Sequence, residues 1–326
     1  MANSSLLSTA TRRLQGKVAL ITGGASGIGE CTAKLFSQHG AKLVIADIQD
    51  ELGHSVVKSI DPSNSTYIHC DVTNEDHIKN AVDTAVSTYG KLDIMFNNAG
   101  VIDPPKPRIM DNERTDFDRV LNVNVTGVFL GMKHAARVMV PTRSGNIITT
   151  ASTASGIGGV GSHAYTTSKH AVVGLTKSLA VELGQFGIRV NCLSPHGLAT
   201  PLSKGRAELD DEGVENIMNS MANLKGITLK ANDIANAALF LASDEARYVS
   251  GQNLFLDAIA LRQNSKIKQG TNIIEIFMKE NFESMKERHK GIEDYLLEYM
   301  KITKKACKES QLLQDAKLRG WENNSR

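Results

Sequence analysis

Between an apolar run from Lys17 to Thr22 and a segment of helical period from Glu30 to Gln38, the chain reads Thr22-Gly23-Gly24-Ala25-Ser26-Gly27-Ile28-Gly29. A short apolar run, a glycine-dense turn and a helix with apolar Ala33, Leu35 and Phe36 form a strand, loop, helix unit. The unit then recurs. Lys42 to Ala46 is a second apolar run, followed by a helix around Asp50 to Ile60. Tyr67 to Cys70 is a third, with a helix around Glu75 to Tyr89, and Leu92 to Phe96 is a fourth. Farther on, Asn146 to Thr150 and Ile188 to Cys192 flank a helix that starts near Tyr165, and Asn253 to Leu256 is the last run of strand type. Strands apolar on both faces, alternating with helices and lacking hairpin turns, predict an α/β fold: a doubly wound parallel sheet covered on both sides.

A chain of 326 residues with 41% hydrophobic content can bury a sizeable core. No repeat and no second glycine loop divides residues 14–257, which read as one domain behind a flexible N-terminus, 1–13. The composition shifts near residue 258. From Ala258 to Arg326 there are 14 Lys and Arg against 10 Asp and Glu, a net +4, whereas the preceding body is −2. Within this tail Ile292, Tyr295, Leu296 and Tyr299 fall at helical spacing among both charge signs, which predicts an amphipathic helix. Mixed charge favours packing on the body or a second subunit over a membrane-surface or partner anchor.

A net charge of +2 leaves no basic excess for a nucleic-acid backbone. Cys31, Cys70, Cys192 and Cys307 are widely spaced, without zinc-ligand patterning, so no metal site is expected and the thiols fit a reducing compartment. No apolar stretch is long enough to span a membrane. The expected location is the cytoplasm. Met1 to Gly16, with Ser4, Ser5, Ser8, Thr9, Thr11, Arg12 and Arg13 and no acid, also loosely resembles an organelle transit peptide, although it is short for one.

Glycines where a first strand becomes a helix let the backbone approach a pyrophosphate, whose charge is met by free N–H groups at the helix N-terminus. Gly23, Ser26, Gly27, Ile28 and Gly29 are therefore candidate cofactor residues, against the plainer reading of a glycine-rich turn. Asp47 ends the second strand, 18 residues after Gly29, where an acid hydrogen-bonds the ribose of a dinucleotide and repels a 2′-phosphate. Neither Ser26 nor Ile48 supplies a cation beside it, which favours NAD over NADP. A capping role before Asp50 and Glu51 is the alternative for Asp47. Asp71 and Val72 follow the third strand, and Asn97, Asn98, Ala99 and Gly100 follow the fourth. These strand ends are where ligands bind in such sheets, or where loops are capped.

Tyr165 and Lys169, four apart in Ala-Tyr-Thr-Thr-Ser-Lys-His-Ala, fall on one helical face with Ser152 thirteen positions upstream. A cation beside a phenol lowers its pKa from about 10, so Tyr165 is a candidate general base. The same spacing also occurs on ordinary solvated helices.

Taken in order, Thr22 to Gly29, Asp71-Val72, Asn97 to Gly100, Asn124, Ser152 and Tyr165 to Lys169 closely resemble the short-chain dehydrogenase/reductase family over about residues 14–257. Gly29 to Phe36, Lys133 to Met139 and Asn223 to Gly226 look like its plant secoisolariciresinol dehydrogenase group. The resemblance implies a Rossmann-type fold in which Tyr165 removes an alcohol proton, Lys169 lowers its pKa and holds the nicotinamide ribose, and hydride passes to NAD. It implies that Ser152 hydrogen-bonds the substrate oxygen and that Asn124 holds a water joining Lys169 to solvent. Pro195, Leu198 and Thr200, in Ser194 to Pro201, match the segment that reaches the nicotinamide carboxamide. His196 stands where the family usually has Gly, and Asp257-Ala258-Ile259 replaces its Asp-Gly-Gly ending, beside the family's pocket and subunit contacts. His196 and His163 read as loop residues or as substrate contacts.

The expectation is thus an NAD-dependent dehydrogenase oxidising a secondary alcohol of a bulky apolar metabolite, lignan, terpenoid or xanthoxin-like, in a homo-oligomer, a tetramer by resemblance. Leu209, Val214, Ile217, Met218 and Met221, between Leu202 and Leu224, suit a flexible apolar lid or ordinary helix packing. Two other functions fit the same motifs: an NADP-dependent carbonyl reductase, and a non-catalytic NAD-binding interaction protein.

Overall fold

Seven strands form one sheet in the order β3-β2-β1-β4-β5-β6-β7, every neighbouring pair parallel. They are β1 (Val18–Thr22), β2 (Lys42–Asp47), β3 (Ser65–His69), β4 (Ile94–Asn97), β5 (Gly145–Thr150), β6 (Ile188–Pro195) and β7 (Asn253–Leu256). The computed structural model describes residues 12–104, 106, 108–159, 161–203 and 210–257. The chain divides into two units, Met1–Leu261 and Arg262–Arg326; the expected tail helix, Cys307 and Leu209 of the expected lid lie outside the described residues.

Alternation along each strand sends side chains to two separate cores. Val18 and Leu20 of β1, with Val44 and Ala46 of β2, enter one core. There they meet α3 (Glu75–Tyr89), α5 (Gly127–Thr142) and α6 (His163–Gly184) through Ile78, Val82, Met132, Met139 and Val172. Ala19, Ile21, Leu43 and Ile45 point the other way. They pack on α1 (Gly27–Gln38), α2 (Asp50–Ser59) and α8 (Ala231–Ala242) through Phe36, Val56, Ile234 and Leu239. Both faces of the sheet are therefore closed, which explains strands that read apolar throughout. Leu14 joins the second core, fully buried, with its amide donating to the His39 carbonyl at 3.1 Å.

Local chemistry sets the helix ends. Asn74 accepts from the amides of Asp76 and His77 to start α3, and Gly90, at φ 84°, ends it in the left-handed region. α4 (Arg114–Leu121) and α5 are joined by a π-helical turn, Asn122–Thr126, all of whose junctions keep right-handed helical dihedrals. Such single π turns recur at functional sites because they re-aim a side chain without ending the helix. Here the buried member is Asn124. α7 (Asp211–Met221) is capped by Asp210 and buries Val214, so that part of the expected lid is an amphipathic helix.

β1 lies between β2 and β4, where the strand order reverses direction. In open α/β sheets ligands bind outside the carboxyl ends of the strands at this point.

Candidate active site

Gly27 and Gly29 give two different reasons for glycine in the loop. Gly27 takes φ 55°, open to glycine and costly for other residues. At Gly29 a Cβ would stand 2.1 Å from the Gly23 carbonyl oxygen, so no side chain fits. Ser26 is the N-cap of α1, and its side chain makes no capping bond. The first amides of α1 thus keep their capacity to meet an anion, as a pyrophosphate requires.

Asn98 binds this loop to the rest of the sheet. Its Nδ2 donates to the carbonyls of Thr22 (3.2 Å) and Gly23 (3.1 Å), and its Oδ1 accepts from Thr150 Oγ1 (3.1 Å). Thr22 Oγ1 in turn accepts from the amides of Asn98 (3.0 Å) and Ala99 (3.2 Å). One amide therefore ties the ends of β1, β4 and β5, so Asn98 shapes the crevice from within.

Asp47 is buried at the end of β2. Its Oδ2 accepts from the Ala25 amide (3.0 Å), and its Oδ1 accepts from the amide (3.1 Å) and side chain (3.2 Å) of Gln49. The carboxylate belongs to the loop rather than to a helix cap, since α2 starts at Asp50 with Gln49 as an unbonded N-cap. Tyr67 donates to the Asp47 carbonyl (2.8 Å) and to Asp50 (2.6 Å). Burial and the Asp50 contact push its phenol far above the usual range, so it serves as a neutral donor. Ile48 is exposed at the rim. Asp71 accepts from the amide (2.9 Å) and hydroxyl (2.8 Å) of Thr73, which hold its carboxyl below the usual value despite partial burial. Val72 packs on the start of α5: a Cβ at Gly127 would be 2.7 Å from it.

Lys169 is buried, and its ammonium donates to the Thr150 carbonyl at 2.8 Å. It stands 5.4 Å from the centre of the Tyr165 ring. Burial pushes the ammonium down to about 8, with Cys192 a minor opposing influence. Cys192 itself is pushed up to about 11 by burial. The three described cysteines, Cys31, Cys70 and Cys192, are free thiols. Beside Lys169, a Cβ at Gly100 would lie 3.8 Å from Nζ and 3.3 Å from Asn124 Oδ1. Asn124 Oδ1 accepts from the Val101 amide (2.8 Å), while its Nδ2 donates to the Val101 carbonyl (2.9 Å) and to Ser168 Oγ (3.1 Å). One acceptor lone pair of Oδ1 is left over. Ser152 opens the short turn after β5, its oxygen accepting from the Ala154 amide (3.2 Å), which leaves its own proton to donate.

The segment after β6 reaches over the glycine loop, since a Cβ at Gly27 would be 3.5 Å from Thr200 Cβ. Pro195 pairs in register with Leu256 of β7, and Leu198 enters the core of α1 and α8. His196 is buried, its Nε2 without a hydrogen-bond partner among the described residues. Burial lowers its pKa against the opposing pull of the Met218 backbone. His163 is exposed as the first residue of α6. Among the described residues no cluster of His, Cys, Asp or Glu could hold a metal, and no helix is long and apolar enough to cross a membrane.

Glycine cradle, free helix amides, an acid at the end of β2 and a Tyr and Lys pair thus converge on one crevice. A family model described as enoyl-(acyl carrier protein) reductase matches residues 23–258. The chain belongs to the short-chain dehydrogenase/reductase family. It is 69% identical over 268 residues to secoisolariciresinol dehydrogenase of Forsythia intermedia, a match spanning 82% of this chain and 97% of that one. It is 54% identical to the mitochondrial borneol dehydrogenase of Lavandula x intermedia, over 83% of this chain and 99% of that one. The crystal structure of 3-ketoacyl-(acyl-carrier-protein) reductase from Brucella melitensis, complexed with NADH, superposes with TM-score 0.68 at 35% identity, covering 75% of this chain and 98% of that one. For this short-chain dehydrogenase/reductase, family and fold together support a nicotinamide dinucleotide as cofactor, and the cradle at Gly29 fits one.

Residues without an assigned role at the level of sequence also belong to the site: Thr22 and Thr150, which hold Asn98, and Ser162, Ser168 and Asp103 around Tyr165. Only Ser162 carried a local signal, a serine three residues before the N3 position of a helix.

Proposed function

We propose that this chain is an NAD-dependent dehydrogenase that oxidises a secondary alcohol of a bulky, mostly apolar metabolite to the ketone, with Tyr165 as base. The observation that carries the reading is the buried Lys169 ammonium, fixed on the Thr150 carbonyl 5.4 Å from the Tyr165 ring. A cation there favours the phenolate. The phenolate oxygen accepts the alcohol proton while the Ser152 hydroxyl donates to the same substrate oxygen and stabilises its developing charge. The remaining lone pair of Asn124 suits a water joining Lys169 to solvent, through which the proton leaves.

When bound, NAD supplies the acceptor for the hydride lost from the alcohol carbon. The amides at the start of α1 and Gly23, Ser26, Gly27, Ile28 and Gly29 would hold its pyrophosphate; Asp47 and Ile48 its adenosine ribose; Asp71, Val72, Ala99 and Gly100 its middle; Lys169, Pro195, Leu198 and Thr200 its nicotinamide end. The buried carboxylate of Asp47 supports NAD over NADP because it opposes a 2′-phosphate. Relatives named as secoisolariciresinol and borneol dehydrogenases support an alcohol substrate. A cytoplasmic homotetramer with a domain at 14–257 completes the reading.

The test is NADH formation over a panel of bulky secondary alcohols, lignan and terpenoid among them, with wild type and Tyr165→Phe. Turnover in wild type and its loss in the variant, with NAD binding kept, is expected. Binding of NAD without turnover on any alcohol, or tighter binding of NADPH than NADH, overturns it.

A further inference from the structure

Both peptide groups of Tyr165 are held by serines, and both serines lead to the same three-residue segment after β4. The Tyr165 amide donates to Ser162 Oγ at 3.0 Å, and Ser162 Oγ donates to Asp103 Oδ1. On the other side the Tyr165 carbonyl accepts from Ser168 Oγ at 2.7 Å, Ser168 Oγ accepts from Asn124 Nδ2 at 3.1 Å, and Asn124 pairs with both backbone groups of Val101. Asp103, Ser162, Asn124 and Ser168 are all buried, at 3%, 5%, 1% and 0% exposure.

A buried carboxylate is costly unless it is paired. Among the described residues, Asp103 acts on the Lys106 ammonium, which is itself bonded to Asp116 at 3.0 Å. What Asp103 does hold is the Ser162 proton. Ser162 is the N-cap of α6 and must present an oxygen lone pair to the third helical amide, which is that of Tyr165. A hydroxyl can rotate, and only an acceptor elsewhere keeps its proton off the helix. An ionised carboxylate is acceptor only, and its negative charge near a helix N-terminus is favourable.

The base of the proposed reaction therefore sits in the first turn of its helix, where helices fray. We propose that Asp103 is a positioning residue for Tyr165: by fixing the Ser162 hydroxyl as an acceptor it locks the first turn of α6, and with it the distance from the phenol to Lys169. This rests on the reading of Tyr165 as the base.

The experiment compares Asp103→Ala, Asp103→Asn and Ser162→Ala in the full chain by two readouts. The first is kcat and KM on the best alcohol of the panel. The second needs no substrate: near-UV phenolate absorbance against pH, wild type minus Tyr165→Phe, gives the ionisation of Tyr165. Asp103→Ala and Ser162→Ala are expected to lower kcat about tenfold or more, toward the 100-fold that a misplacement of about 1 Å can cost, with NAD affinity unchanged. Both are expected to shift the midpoint of Tyr165 ionisation to higher pH, toward the ordinary tyrosine value of about 10. Asp103→Asn still offers an acceptor oxygen to Ser162 and is expected to stay near wild type. The double variant should be no worse than either single one, because the two bonds act in series.

If Asp103 acted only through its charge, Asp103→Asn would shift the midpoint of Tyr165 ionisation to lower pH, since Lys169 would remain in place and a like charge would be gone. That result, or unchanged kcat and titration in Ser162→Ala, overturns the proposal. Should Asp103→Ala fail to fold, Ser162→Ala against Asp103→Asn decides. A wild type inert on every alcohol refutes the dehydrogenase reading alone, because the phenolate titration still tests the hold of Asp103 and Ser162 on Tyr165.

Discussion

The ammonium of Lys169 stands 5.4 Å from the centre of the Tyr165 ring, one turn of α6 away, and is buried with a carbonyl as its partner. Burial lowers its pKa from 10.5 to about 8, so the folded chain binds this proton less tightly than the unfolded chain. The sign follows from linkage: between about pH 8 and 10.5 the unfolded state binds more protons, and wild-type stability rises with pH across that window. Lys169→Met removes the buried charge. Its turnover is expected to fall 100-fold or more, about the size of a general-base contribution, because the phenolate loses its cation. Its apo form is expected to be at least as stable as wild type at pH 7. The stability difference between the two should shift in favour of wild type between pH 8 and 10, as read by urea denaturation at each pH.

Asp47 accepts from Ala25 on one oxygen and from Gln49 on the other. Asp47→Asn keeps the shape but has one acceptor oxygen, so one amide is left facing an NH2 group. The expected cost is about 1–3 kcal/mol in stability, the price of an unsatisfied buried donor. Loss of the charge should also weaken NADH and relieve the repulsion of NADPH. Fluorescence titration with both cofactors checks this, and an unchanged ratio of the two affinities removes Asp47 from the discrimination.

Gly27 and Gly29 separate two reasons for glycine. A Cβ at Gly27 has room, 3.5 Å from Thr200 Cβ, but meets a backbone at φ 55°, a strain of about 1–2 kcal/mol. A Cβ at Gly29 would lie 2.1 Å from a carbonyl oxygen that the Asn98 side chain also holds. Gly29→Ala is therefore expected to destabilise more than Gly27→Ala and to abolish cofactor binding, because the loop must open to admit the methyl group. Thermal melts with and without NAD rank the two.

Features encoded within a few residues were legible in the sequence, and features made by distant pairs were not. α3, read as Glu75 to Tyr89, and β7, read as Asn253 to Leu256, are where the pattern put them. The apolar run Leu92 to Phe96 predicts β4 two residues early; the strand runs Ile94–Asn97 because Leu92 and Asp93 lead into the sheet as loop. α4 and α5 gave no reading: α4 buries Val120 alone, and the π turn after it breaks the helical period that would have revealed a single long element. In the site, the glycine loop, Asp47 and the pair of Tyr165 and Lys169 rest on short spacings. The Asn98 bridge spans 76 residues to Thr22, and the Asp103 bond spans 59 to Ser162; nothing local marks either.

Asn98 makes the sharpest separation between building the crevice and doing chemistry in it. Its amide gives two protons to the Thr22 and Gly23 carbonyls and takes one from Thr150 Oγ1, whose own backbone carbonyl holds Lys169. Asn98→Ala leaves these partners unsatisfied in a partly buried place, for an expected loss of about 1–3 kcal/mol. Asn98→Asp replaces two donors by an acceptor facing two carbonyl oxygens, so it should cost more despite its nearly identical shape. Both variants loosen the glycine loop, and NAD affinity should fall in the same order. The phenolate titration of Tyr165 should move little in Asn98→Ala, because Tyr165 is held from Ser162 and Ser168 instead. If that titration shifts as far as in Lys169→Met, the link from Asn98 through Thr150 to Lys169 carries the base as well as the loop.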